Sequence, residues 1–310
     1  MNELSKLSAS EARQLIGRGD ISPTELLEAC ISRIEAVNPK VNAIVATDLN
    51  GARKAAKIAE KAALARTPLP PLHGLPIGIK DLNATKGLRT TWGSKLFENH
   101  VPTEDEALVA RLRAAGGIIV GKTNTPEFGS GTATNNLVYG PTRNPFDLKR
   151  TSGGSSGGSA AALATNMLPL CQGGDTGGSL RNPATWCGVV GFRSTPGLVP
   201  HENRTLNYTH FNVQGPMARS VPDIALMMAG CVGNDDRDPM ANSCNPQTFL
   251  KIKPANLKDI RVAWTEDFGG IAPLDEGIRG CFQKVIGALK NTFQSLDARN
   301  PDFSDARDCF

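Results

Sequence analysis

The sequence predicts an α/β protein with helices packed around a central sheet. Three observations carry that prediction. Capped, helically spaced apolar patterns alternate with short apolar runs of strand length along most of the 310 residues. The composition, 40% hydrophobic and 21% charged, belongs to a globular chain rather than a disordered one. Two glycine–serine clusters, residues 153–159 (GGSSGGS) and 173–179 (GGDTGGS), enclose an apolar, alanine-rich run where a flexible linker would be polar throughout.

Taken in order, Ser8 and Glu11 have capping-box spacing and predict a short helix that stops near residues 17–19. Ser22-Pro23-Thr24-Glu25 repeats the signal with proline at the first helical position. Leu26, Leu27, Cys30, Ile31, Ile34 and Val37 then keep helical spacing, and Pro39 is expected to follow the helix end. Residues 41–46 read as a strand, 50–65 as a helix with a solvated Lys/Arg/Glu face, and 67–71 as a stiff connector. In residues 75–81 (LPIGIKD) Ile77 and Ile79 alternate with Gly78 and Lys80, as in a short strand. Taken alone, Lys80 would face solvent, the usual place for lysine, and Gly78 would leave room for another backbone. Residues 104–115 predict a helix with Leu108 and Leu112 inward. Residues 116–123 match the phosphate-loop pattern letter for letter, but a strand occupies the place of the loop and Thr125-Pro126 interrupts the helix that should follow. Nucleotide binding is set aside on that ground.

Residues 130–150 read as a long polar loop, 160–163 as helix, 167–171 as a buried strand, 187–192 as another, and 195–216 as loop. Pro222 starts a helix with Ile224, Met227 and Met228 inward. Residues 260–264 read as a strand and 275–296 as a long amphipathic helix, with no closing element in 301–310.

Net charge is +4, from 34 basic and 30 acidic residues, without a Lys/Arg block, so a nucleic-acid partner is not expected. Seven scattered cysteines include no C-x-x-C pair, which argues against a zinc site or a disulfide framework and for reduced, mostly buried thiols. No metal and no cofactor is expected. No apolar leader or membrane-length run is present, so a cytoplasmic location without membrane contact is expected.

Three chemistries compete for the serines. Residues 153–157 satisfy G-x-S-x-G, but an elbow of the α/β-hydrolase kind must follow a strand, and the preceding NPFDLKR is not one; His201 or His210 would have to be the base. An anion cradle explains the glycines and leaves the serines without a role. A serine nucleophile with a lysine base explains both, provided that burial lowers the lysine pKa from about 10.4 toward the working pH. Residues 176–179 (TGGS) offer four successive N–H groups that suit an oxyanion hole.

The chain resembles the amidase signature family of Ser-cisSer-Lys amidases. The matching pieces are residues 74–81 (GLPIGIKD), 151–159 (TSGGSSGGS) and 174–181 (GDTGGSLR), in the family's order, and the interval between Ser155 and Ser179 also fits. The resemblance is convincing over about residues 8–240. It implies a central mixed β-sheet covered by helices on both faces, as a single domain over 1–310: an N-terminal helical part (1–70), a signature core (71–220) and the start of a C-terminal part (221–310) that is incomplete. It implies that Ser179 is the nucleophile, that Ser155, in a cis peptide, relays protons to Lys80, and that Thr176, Gly177, Gly178 and Ser179 supply the oxyanion donors. Ser156, Asp175 and Arg181 match supporting positions. The activity implied is hydrolysis of a small-molecule carboxamide, with a homodimer allowed. The alternatives are the glutaminase-like subunit of a tRNA-dependent amidotransferase, which residues 198–214 resemble less, and an inactive truncated relative. Gly173 departs from the family, which usually has Ser or Thr near that position.

Overall fold

The computed structural model describes residues 3–65, 68–202, 204 and 208–306. The chain forms two compact units, Met1–Ile252 and Lys253–Phe310.

In the first unit both capping boxes close as the serines predict. Ser8 caps α1 (Ala9–Arg18), which Gly19 ends in the left-handed conformation at φ 79°. Ser22 caps α2 (Pro23–Val41). Pro39 does not follow this helix but lies in its last turn, where it removes only one backbone hydrogen bond. Asn42, at φ 52°, then ends the helix, so strand β1 (Ile44–Thr47) starts three residues later than expected. Asp48 caps α3 (Leu49–Leu64), which turns Ala52, Ala56 and Ala59 inward. The connector expected at 67–71 falls partly outside the described residues.

Strand β2 (Pro76–Lys80) leads through a loop to α4 (Ala107–Ala114) and β3 (Ile118–Thr123). After the long loop come α5 (Gly157–Ala164), β4 (Leu170–Asp175), α6 (Arg181–Cys187), β5 (Val190–Gly191), β6 (Val213–Ala218), α7 (Val221–Cys231) and α8 (Gln247–Leu250). The strands form one sheet in the order β1-β3-β2-β4-β6-β5. Pairs β2–β3 and β2–β4 are parallel, and β1–β3, β4–β6 and β5–β6 are antiparallel, so the sheet is mixed. Side chains alternate between faces along a strand. Every residue of β2, β3 and β6 is buried, so both faces are covered.

Three later strands of this unit also differ from the sequence expectation. The strand expected at 167–171 begins at Leu170 and runs on through two glycines to Asp175, because β6 pairs with it residue by residue from Leu170↔Ala218 to Asp175↔Val213. That partner, β6, lies in a segment that reads as loop; its Gly215-Pro216 pair disfavours a strand locally, and tertiary pairing overrides it. The strand expected at 187–192 shrinks to Val190–Gly191, because Cys187 ends α6 and Gly188 caps it at φ 65°. The space beside Gly78 is filled by side chains rather than backbone: a Cβ there would lie 2.9 Å from Leu168 Cδ1 and 3.1 Å from Cys171 Sγ.

The second unit contains β7 (Arg261–Trp264), α9 (Glu276–Leu289) and β8 (Ser295–Ala298), with β7 and β8 parallel. The helix expected to reach residue 296 therefore stops at Leu289, and Leu296 pairs with Val262 instead. Cys30, Cys171, Cys187 and Cys231 are buried free thiols, Cys281 is exposed, and Cys309 lies outside the described residues.

Candidate active site

Lys80 is the last residue of β2 and is 1% exposed, not solvent-facing. Its Nζ is hydrogen-bonded to Ser155 Oγ at 2.7 Å. No acidic side chain forms a salt bridge with it among the described residues. Burial drives its pKa from 10.5 down to about 7, with the charge of Asp175 opposing the drop. The neighbouring Asp81 is engaged elsewhere: it accepts from the Thr91 hydroxyl at 2.6 Å and from the Thr91 N–H. Burial raises the Asp81 carboxyl, and the charge of Lys122, buried on β3, opposes that rise. The lysine of the phosphate-loop look-alike is thus a sheet residue bonded to Thr85 Oγ1 at 3.0 Å.

The first cluster leads into α5. The Gly154–Ser155 peptide is cis. The glycines here meet other backbone closely. A Cβ on Gly154 would lie 2.9 Å from the Gly131 carbonyl oxygen, and one on Gly158 would lie 2.2 Å from the Asn124 nitrogen. The loop after β3 therefore wraps the cluster, and a Cβ on its Gly129 would come within 3.6 Å of Ser155 Oγ.

The second cluster begins inside β4 and ends at α6. Asp175, at the end of the strand, organises it. Its carboxylate accepts from the N–H groups of Gly178 (2.8 Å) and Leu180 (3.1 Å). Arg181 grips the same carboxylate with two nitrogens, at 3.0 and 3.1 Å. Burial by itself would raise this carboxyl, but Arg181 and the two N–H groups outweigh it and hold the pKa down at about 2. Asp175 thus bends residues 176–180 around its own carboxylate. The Gly178 N–H is spent on that bond, while no protein acceptor takes the N–H groups of Thr176, Gly177 and Ser179 among the described residues. Thr176 and Gly177 are exposed, and Ser179 is half-buried.

Ser156 joins the clusters. Its N–H donates to the Ser179 carbonyl at 3.2 Å, and its Oγ lies 3.3 Å from the Gly174 carbonyl oxygen. Gly173 has a steric reason: a Cβ there would lie 2.9 Å from Ser156 Oγ and 2.7 Å from Leu180 Cδ2. The structure thus brings together Lys80 with Ser155, Ser156 with the second cluster, and Asp175 with Arg181. Neither histidine of the elbow reading bonds to a site serine among the described residues; His201 lies 3.8 Å from Glu106.

Sequence reasoning misses two residues here. Arg193 donates to the Asp175 carboxylate at 3.1 Å and to its carbonyl. Gln172 accepts from the Lys80 N–H at 3.1 Å. Arg193 sits in a segment without motif signal. Gln172 carries a faint one, an amide amid apolar residues and glycines, just past the expected end of its strand.

The family model described as Amidase matches residues 25–302. A glutamyl-tRNA(Gln) amidotransferase subunit of Roseiflexus castenholzii is 43% identical over 290 residues, covering 94% of this chain and 59% of that protein. Acylamidase of Rhodococcus erythropolis is 41% identical over 299 residues, covering 96% and 62%. A bacterial aryl acylamidase of the amidase signature family superposes with a TM-score of 0.86 at 29% identity, covering 96% of this chain and 61% of that one. The chain thus spans about 60% of the length of these relatives. With the family model matched across most of its length, the mixed sheet in place and both signature clusters built into it, the chain belongs to the amidase signature family.

Proposed function

We propose that this chain carries the catalytic machinery of an amidase that hydrolyses the C–N bond of a small carboxamide through an acyl-enzyme on Ser179. The observation that carries the proposal is the buried Lys80 Nζ, 2.7 Å from Ser155 Oγ and free of an ion pair among the described residues. A lysine can act as base at neutral pH only when its ammonium is destabilised, and burial supplies that here.

In this reading Ser179 Oγ attacks the amide carbonyl carbon, and its proton passes to Ser155 Oγ while Ser155 hands its own to Lys80 Nζ. The N–H groups of Thr176, Gly177 and Ser179 stabilise the oxyanion. Gly178 and Arg181 act through their bonds to the Asp175 carboxylate, which shapes the turn, and Ser156 acts through its N–H bond to the Ser179 carbonyl. Collapse of the tetrahedral intermediate breaks the C–N bond, and the proton returns from Lys80 through Ser155 to the leaving amine. Water then attacks the acyl-Ser179 ester by the same route in reverse and releases the acid. No metal or cofactor is required for these steps. The reading treats residues 1–310 as parts of one amidase signature domain.

The relatives include a protein named acylamidase and one named as part of an amidotransferase. We favour the free amidase, because residues 198–214 resemble the amidotransferase subunit less. Turnover of simple aryl amides by this chain alone supports it, whereas turnover only with added partner proteins overturns it in favour of the amidotransferase reading. A fluorophosphonate probe tests the nucleophile: the adduct mass should map to Ser179, and an adduct on any other residue refutes the assignment.

A further inference from the structure

We propose that Gln172 is a positioning residue that holds Lys80 against Ser155 by standing in for a missing rung of the central sheet. The inference rests on the reading of Lys80, Ser155 and Ser179 given above.

Strand β2 pairs with β3 over its whole length, from Pro76↔Ile118 to Lys80↔Thr123. On its other side it pairs with β4 only at Ile77↔Leu170 and Gly78↔Cys171. Strand β4 itself continues, paired with β6, as far as Asp175. The two strands that carry Lys80 and lead to Ser179 thus part company two residues before Lys80. A backbone N–H left unpaired in such a gap would be costly. The fully buried side-chain amide of Gln172 fills it. Its Oε1 accepts from the Lys80 N–H at 3.1 Å, and its Nε2 donates to the Gly173 carbonyl at 2.7 Å. One amide therefore bridges β2 and β4 where the ladder has ended, and keeps a space between them.

The amide is itself held. Gln172 Nε2 also reaches Gln214 Oε1 on β6 at 3.4 Å. Gln214 donates to Glu106 at 2.8 Å, and Asn83 donates to both Gln214 and Glu106 at 2.9 Å. The Asn83 N–H closes the circuit on the Lys80 carbonyl at 3.1 Å. Both backbone polar groups of Lys80 are thus tied into one buried network, and its side chain is left to reach Ser155. Burial raises the Glu106 carboxyl within that network, and the hydrogen bonds donated by Gln214, Ala84 and Asn83 oppose that rise. Such a device fixes where a base sits without touching the reacting atoms, and a displacement of about 1 Å can cost about 10²-fold in rate.

Two variants of equal length test this by the rate and pH dependence of fluorophosphonate labelling. Gln172→Met removes the acceptor for the Lys80 N–H. It should remain folded by circular dichroism, label about 10- to 100-fold more slowly, and show its acid-side inflection moved to higher pH as the amine gains access to water. Gln172→Glu keeps the acceptor, and its carboxyl, buried beside the Gly173 carbonyl, keeps a proton to donate there. It should label within about threefold of the parent, since the hydrogen bonds are retained. If Gln172→Met does not fold, a Gln172→Glu protein with the parent rate and profile still supports the proposal, and one slowed tenfold or more overturns it. Parent-like labelling of folded Gln172→Met also overturns it. If the parent chain is not labelled at Ser179, the underlying nucleophile reading fails, a result distinct from any of these.

Discussion

Replacing Lys80 by methionine should damage activity and strengthen the fold at the same time, because the same burial produces both effects. The drop in Lys80 pKa from 10.5 to about 7 means that the native state resists the protonated amine. At about 1.36 kcal/mol per pH unit, that resistance amounts to about 5 kcal/mol once both states are protonated. The sign follows from linkage. The folded pKa lies below the unfolded one, so the unfolded chain binds more protons between pH 7 and 10.5. Lys80 therefore costs nothing above 10.5, costs progressively more as pH falls, and reaches its full cost below about 7. Methionine removes the cost but orphans Ser155 Oγ, which gives back about 1–3 kcal/mol. Lys80→Met should then be more stable than the parent by about 2–4 kcal/mol at pH 6. The advantage should shrink as pH approaches 10 and reverse where only the orphaned hydroxyl remains. Urea unfolding of both proteins across that range measures it, and effects common to both cancel in the difference. Acylation of Ser179 should fall by about 10²–10⁴-fold, the usual contribution of a general base. A variant that is less stable than the parent at pH 6, or that labels within threefold of it, would refute the buried-base argument.

Other outcomes follow from the same geometry. The pH profile of kcat/KM should rise through an inflection near 7 as Lys80 loses its proton, and a flat profile from pH 5 to 9 would contradict it. Asp175→Asn should destabilise the fold by about 1–3 kcal/mol, because the Gly178 and Leu180 N–H groups and two arginines lose a charged acceptor, as measured by urea unfolding at pH 7. The contribution of Asp175 should persist above pH 3.8 and disappear only as pH falls through about 2, because its folded pKa is depressed. Gly158→Ala should prevent recovery of folded protein, since its Cβ would lie 2.2 Å from a backbone nitrogen. Gly177→Ala has no atom within 4 Å of the added methyl and should melt within a few degrees of the parent.

Much of the site is legible from the chain. The three motifs in register imply Lys80, Ser155 and Ser179 through the family resemblance, whereas the residues taken alone leave Lys80 facing solvent. The helix starts at Ser8 and Ser22 are equally legible, since a cap is decided by residues three apart. The strands are less so. Val213–Ala218 looks like loop because Gly-Pro disfavours a strand, and it becomes one because β4 and β5 flank it with partners. The helix expected to reach residue 296 gives way to β8 for the same reason, a parallel partner in β7.

What the sequence determined by itself is therefore local: caps, helix faces, and the chemical inventory of two glycine-rich turns and one lysine. What the tertiary structure alone decided is the state of that inventory. Lys80 is an ordinary strand-end lysine until α5 and its neighbouring strands exclude water from it. Asp175 is a surface-type acid until Arg181 and Arg193 close on it from later in the chain. Gln172 is an unremarked amide until β2 and β4 diverge around it. Burial and pairing are sums over residues distant in sequence, so no local pattern can state them. They are what lowers the pKa of a strand-end lysine and sets a glutamine amide between two strands.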